Sequence, residues 1–241
     1  MLQKAEAIVL RTTRLGDDKM IADLYTRAFG RMACVVKNGK GRASRSRKQL
    51  FQPLTMLSVE VDYRQRMQTQ HLRDVQILHP WVSLPFDIRK SAIALFLAEV
   101  LTHALRQEQT DDLMFDFLCN SLQWFDLYEG QTANFHIAFL IQLSRHLGIQ
   151  PSTDNYADGR VFDIHAATFS DHIPLSGAFL EHREAAAASR LLRMTYANMH
   201  RFAFSRNERQ RILSVILAFY QTHIPSFPKL KSPEVLHELF G

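Results

Sequence analysis

Leu57-Ser58-Val59-Glu60-Val61-Asp62-Tyr63-Arg64 alternates apolar and polar residues without a break. Side chains two apart share one face of an extended chain, so this run reads as a half-buried strand. The same period recurs upstream at Met32, Cys34 and Val36, and again at Met20, Ala22 and Leu24. Ala7 to Arg11 is a further β-rich stretch. Downstream, His71 to Leu78 makes a fifth, with its apolar phase slipping between Leu72 and Val75. An extra residue in a bulge produces such a slip. Gly16-Asp17-Asp18 and Gly30 supply the turns. Five short strands in so little chain predict a small barrel, and the five-stranded OB-fold is the common solution at that size.

Beyond Pro80 the period changes. Pro85 and Asp87 open a stretch in which Ile93, Leu97, Val100, Leu101 and Leu105 follow helical spacing to about Gln107. Leu95 and Phe96 make it apolar nearly all round, which predicts a helix buried centrally. Thr110-Asp111-Asp112 places an N-cap and an acidic first turn before a helix running to Tyr128, with Gly130 beyond. Phe135 to Leu147 is a third helix, stopped by Gly148 and Pro151. Residues 150–182 have no period and hold Pro151, Gly159, Pro174 and Gly177, so they read as an irregular insertion with room for one hairpin. Glu184 to Arg201 is helical again, and Ser205-Arg206-Asn207-Glu208 is a capping box before Ile212, Ile216 and Tyr220. Ser232-Pro233-Glu234 starts a short terminal helix. The expectation is an OB-fold β-barrel domain over residues 1–80 and an all-α helical bundle domain over 81–241, interrupted at 150–182.

The 241 residues contain 46% hydrophobic and 22% charged side chains, an ordinary globular balance. The longest apolar run, Ala92 to Ala98, is seven residues, whereas a membrane span needs about 20. The first residues carry Lys4 and Glu6 and no apolar leader, so a cytoplasmic protein is expected. Cys34 and Cys119 are the only cysteines, too few for a disulfide scaffold or a cysteine-rich zinc site. Glu99 with His103, and Asp163 with His165 and His172, fall short of a ligand set with defined zinc spacing. Phosphate-binding glycine loops and the zinc-protease helix motif are absent. No catalytic residue, metal or cofactor is assigned, and the chain reads as a non-enzyme.

Charge is the first functional signal. Net charge is +5, but residues 1–80 hold 15 Lys and Arg against 7 Asp and Glu, while residues 81–241 hold 14 against 17. A basic barrel on a mildly acidic helical body suggests a module for a polyanion. The densest run is Lys37, Lys40, Arg42, Arg45, Arg47 and Lys48, six cations in twelve residues with no acid among them. Arg11, Arg14, Lys19, Arg31, Arg64 and Arg66 come from the same small domain. A charge run can be only a solvated face. On an OB-fold with this excess, nucleic acid is the better reading, because cations that neutralise phosphates release condensed counterions. Six phosphate contacts give a log–log salt slope of about −5 on duplex DNA. Nothing in the run is built to read bases, so sequence specificity is not expected. Tyr63, beside Arg64 and Arg66, is the best candidate for a base-stacking ring, although core packing is the commoner role. In the helical part, Arg190, Arg193 and Arg201 fall on one stripe of a continuous helix, and Arg145 on the third helix is a further candidate. They are candidates for a secondary DNA track or a dock for an acidic peptide, or are simply a wet helix face.

In order along the chain stand Ala7-Ile8-Val9-Leu10-Arg11, Leu15-Gly16-Asp17-Asp18-Lys19, Gly30-Arg31, Val36-Lys37-Asn38-Gly39, then Leu50, Pro53 and Leu54, and finally Leu230-Lys231-Ser232. This ordered set resembles the RecO family of bacterial DNA repair proteins, the recombination mediators, and the resemblance spans nearly the whole chain. It implies an N-terminal OB-fold, a C-terminal helical domain, binding and annealing of single- and double-stranded DNA, and recombinase loading. The partners it implies are RecR and the acidic C-terminal tail of single-strand-binding protein. A zinc finger often found in the family uses a cysteine quartet in the region of residues 150–182, where this chain has no cysteine. A metal-free insertion is therefore expected. Two other readings stay open, an RNA-binding OB module and a non-catalytic protein-interaction scaffold.

Overall fold

The computed structural model describes residues 2–16, 18–37, 49–64, 66–105 and 110–239. Five strands, β1 (Leu2–Leu15), β2 (Lys19–Thr26), β3 (Gly30–Lys37), β4 (Met56–Asp62) and β5 (Thr69–His79), close into a barrel in the order β1-β2-β3-β5-β4. The OB-fold expectation is met. All neighbours are antiparallel except β3 and β5, which run parallel. Period-two patterning fills the interior: Ala7, Val9, Ala22, Leu24, Cys34 and Val59 all point inward and are fully buried. Small residues on β1 and β2 leave space that Phe51 fills. The phase slip of the fifth strand is a bulge, since Glu60 pairs with Asp74 but Val61 pairs with Leu72, leaving Arg73 extra. A second bulge in β1, between Val9 and Arg11, accounts for Ile8, Val9 and Leu10 all being buried in succession.

Six α-helices follow among the described residues: α1 (Ile88–Ala104), α2 (Asp112–Leu127), α3 (Phe135–His146), α4 (His182–Leu191), α5 (Arg206–His223) and α6 (Ser232–Leu239). Their starts follow from local chemistry. The Asp87 carboxylate accepts from the Arg89 and Lys90 amides, Asp111 accepts from Met114, and Ser205 with Glu208 forms the reciprocal capping box. Gly148, at φ +70°, ends the turn after α3.

The chain forms two compact units. One comprises Met1–Tyr128 with Leu230–Leu239, and the other Glu129–Lys229. Secondary structure changes class after His79, but α1, α2 and α6 belong to the barrel's unit. Polar contacts explain why. Arg27 reaches Glu6 on β1 and Asp112 and Asp116 on α2, with its guanidinium over the Phe115 ring. The Asp126 carboxylate accepts from the Val82, Ser83 and Leu84 amides, fixing the connection between β5 and α1. The Glu99 carboxylate accepts from the Lys231 and Ser232 amides and the Ser232 hydroxyl, so the Leu230-Lys231-Ser232 motif is the seat of α6 on α1.

The second unit corrects two expectations. Residues 150–182 hold a three-stranded sheet, β7-β6-β8, of β6 (Val161–Asp163), β7 (Thr168–Ser170) and β8 (Phe179–Leu180). Tyr156, Phe162 and Phe169 pack edge to face, and Arg160 makes a two-pronged pair with Asp171. Strands this short give too little period to be read. The helix expected over Glu184 to Arg201 ends at Leu191, and only a 3₁₀ turn, Met199–Arg201, follows. Beyond that end the Asn198 side chain accepts from the Thr195 amide and donates to the Arg193 carbonyl, bonds that hold a turn where helical bonds were expected.

Candidate nucleic-acid interface

Cations predicted from sequence fall into three places on the barrel. The first is the rim where β1 turns into β2 and β3 ends. Leu15 pairs with Lys19, and Lys19 pairs with Lys37. Directly opposed residues on antiparallel strands project from the same face, so two ammonium groups stand side by side. Both are exposed, as is Arg14, whose Nε donates to the Gly16 carbonyl at 3.1 Å. Lys40, Arg42, Arg45, Arg47 and Lys48 lie outside the described residues. They follow Lys37 directly in sequence, and Leu50 and Phe51 pack on the barrel core beyond them. One cation was missed at the sequence level. The β3–β5 register sets Val35 beside His71, and exposed Arg73 follows two residues further along β5. The phase slip identified the bulge but not the charge it carries.

The second place is the β4–β5 connection, which holds exposed Arg64 and Arg66. Buried Gln70 organises it by accepting from the Arg64 amide and donating to the Arg64 and Met67 carbonyls. Arg64 pairs with Asp62 at 2.9 Å and holds that carboxyl below its ordinary range. Tyr63 stacks on Phe29 with ring centroids 4.3 Å apart, and both pack against the barrel core. One face of Tyr63 is thus already covered.

The third place is the flank between them. Arg11 pairs with Asp23 at 2.6 Å but keeps over half its side chain exposed. Arg31 differs from the rest. Its side chain is four-fifths buried, and the guanidinium donates to the Thr102 and Leu105 carbonyls at 2.6 and 3.0 Å and to Asp23 at 3.1 Å. It caps the C-terminal end of α1, where helix carbonyls lack partners. Arg31 is therefore left out of the interface proposed below.

In the second unit, α3, α4, α5 and the small sheet enclose a groove of about 540 Å³. Apolar residues dominate it, among them Leu140, Phe162, Leu180, Leu191, Ile216 and Phe219. The groove exists because α4 presents Ala187 and Ala188, from the run Ala185–Ala188, where larger side chains would fill the space. Arg190, Arg201, Arg211, Glu184 and Glu208 edge it. So Arg190 and Arg201 meet through the groove, not along a helical stripe. Arg145 and Arg193 do not line it. Arg145 donates to the Leu192 carbonyl at 3.4 Å, and Arg193 follows the end of α4.

Burial pushes both thiols, Cys34 inside the barrel and Cys119 on α2, up to about 12. Among the described residues no group of three or more His, Cys, Asp or Glu side chains is placed to hold a metal ion, and no helix is long and apolar enough to cross a membrane.

Comparison with known proteins adds a lineage. Residues 1–81 match the family model described as recombination protein O N terminal, and residues 85–234 match that described as recombination protein O C terminal. The chain is 42% identical over 241 residues to the DNA repair protein RecO of Phocaeicola vulgatus, covering all of both chains. Identity to the protein of the same description is 40% over 241 residues in Bacteroides fragilis and 30% over 244 residues in Porphyromonas gingivalis, again covering all of both.

Proposed function

The chain belongs to the RecO family of DNA repair proteins, and from that premise we propose that its barrel binds the phosphate backbone of single- and double-stranded DNA in the cytoplasm, without catalysis. The observation that carries this reading is the rim where Lys19 and Lys37 stand opposite one another, with Arg14 nearby and the basic run starting at Lys37. Like charges directly opposed on a sheet weaken the fold, and an anion between them offsets that cost. In OB-folds the face of strands two and three and the loops after strands one and four are the places that take oligonucleotides. Those are the positions of Lys19, Lys37, Arg64 and Arg66.

Contacts to backbone leave bases free to pair. Two strands held on one cationic rim can then anneal without nucleotide hydrolysis, and the same grip supports recombinase loading beside RecR. The groove of the second unit is the proposed seat of the acidic C-terminal tail of single-strand-binding protein. Its apolar floor suits apolar residues, and Arg190 and Arg201 complement carboxylates.

The test is a double substitution, Lys19→Ala with Lys37→Ala, measured by fluorescence anisotropy on a single-stranded oligomer across a salt series. Loss of two phosphate contacts is expected to weaken binding and to flatten the log–log salt slope on a single strand by about 1.4. Unchanged affinity and slope would remove the rim from the interface. A matched RNA oligomer in the same titration separates DNA from RNA binding, and tighter binding to RNA would favour the RNA-module reading.

A further inference from the structure

We propose that Glu184 sets the charge requirement of the groove in the second unit, by holding Arg211 until a sufficiently acidic ligand displaces it. The inference rests on the reading of this groove as a dock for an acidic peptide.

Three arginines edge the groove, and they are not equivalent. Arg211 forms an ion pair with Glu184, itself a groove residue on α4. Among the described residues Arg190 and Arg201 meet no carboxylate. The other groove acid, Glu208, is committed to the capping box of α5, where it accepts from the Ser205 amide and hydroxyl at 2.7 Å each. Glu184 is thus the one groove-edge carboxylate among the described residues that faces a groove-edge cation.

This arrangement has a chemical consequence. A ligand with one carboxylate finds Arg190 and Arg201 ready. A ligand with several carboxylates also competes with Glu184 for Arg211. The competition is winnable because the pair is open to solvent, with three-quarters of the Arg211 side chain exposed, and exposed pairs are weak. Removing the Glu184 charge leaves Arg211 open to the ligand and takes away a repelling group. Glu184 therefore acts as a specificity-determining residue, lowering affinity for strongly acidic peptides more than for weakly acidic ones, because only the former need Arg211 and the repulsion grows with ligand charge.

The probes are two fluorescein-labelled peptides with the same apolar C-terminal tripeptide, one preceded by a single aspartate and one by three. Binding to the full chain is measured by anisotropy, with circular dichroism as the check on folding. Glu184→Gln is expected to tighten the three-aspartate peptide by about two- to fivefold, and the one-aspartate peptide by less. Arg211→Ala is expected to cost more in the Glu184→Gln background than in the wild type. If the wild type binds both peptides and folded Glu184→Gln binds them no more tightly, the role of Glu184 is refuted and the groove reading stands. If the wild type binds neither peptide, the groove reading fails and the inference with it.

Discussion

Asp126 accepts hydrogen bonds from three consecutive amides, those of Val82, Ser83 and Leu84, while its own carbonyl accepts from the Lys90 ammonium at 2.8 Å. Burial opposes its charge, but these amides outweigh burial and hold the carboxyl below its ordinary range. Asp126→Ala strands three donors and is expected to cost about 3 kcal/mol, read as a lower urea midpoint at unchanged slope. Arg31 makes a sharper test, because charge alone assigns it to DNA and geometry assigns it to the fold. Arg31→Ala should destabilise the barrel's unit by about 2 kcal/mol and leave DNA affinity unchanged. A large affinity loss in a stable variant would return Arg31 to the interface. Sequence marks a cation but not its acceptor: nothing in Gly30-Arg31 points to carbonyls 71 and 74 residues away.

Among elements, α6 depends on one carboxylate. Burial pushes the Glu99 carboxyl up, yet the Ser232 hydroxyl and the Lys231 and Ser232 amides lower it overall. A folded-state value below the unfolded one means that this stabilisation is complete above about pH 4.3 and is lost as pH falls through the folded-state value. Thermal melts should therefore show wild type losing more stability on acidification than Glu99→Gln, whose side chain does not titrate. Equal losses would detach α6 docking from Glu99. Strand and helix positions were legible wherever pattern and caps agreed, as in the Leu57–Arg64 alternation, the slip at Arg73 and the Ser205 box. They were not legible where a side chain overrode propensity. α4 ends at Leu191 without a glycine or proline to announce it, and Asn198 holds a turn beyond it, so the Arg190–Arg193–Arg201 stripe does not form. The groove was hidden for a related reason: an alanine run reads as good helix, not as missing bulk.

At the scale of the molecule, the charge division by sequence is also a division of surfaces. Cations concentrate at the β1–β2 rim, at the β4–β5 connection and on the flank between them, while β4 and β5 set Glu60 against Asp74. The fold requires neither concentration, and both weaken pairing where they occur. The cations at and beyond Lys37 are proposed to hold DNA by its phosphates. The most direct measurement is anisotropy of a single-stranded DNA oligomer over a salt series, comparing wild type with the quadruple variant Lys40→Ala, Arg42→Ala, Arg45→Ala and Arg47→Ala. Affinity should fall at least about tenfold and the log–log slope flatten by about 3, with the melting temperature unchanged. A folded quadruple variant that binds and anneals DNA like the wild type, with the same slope, would contradict it.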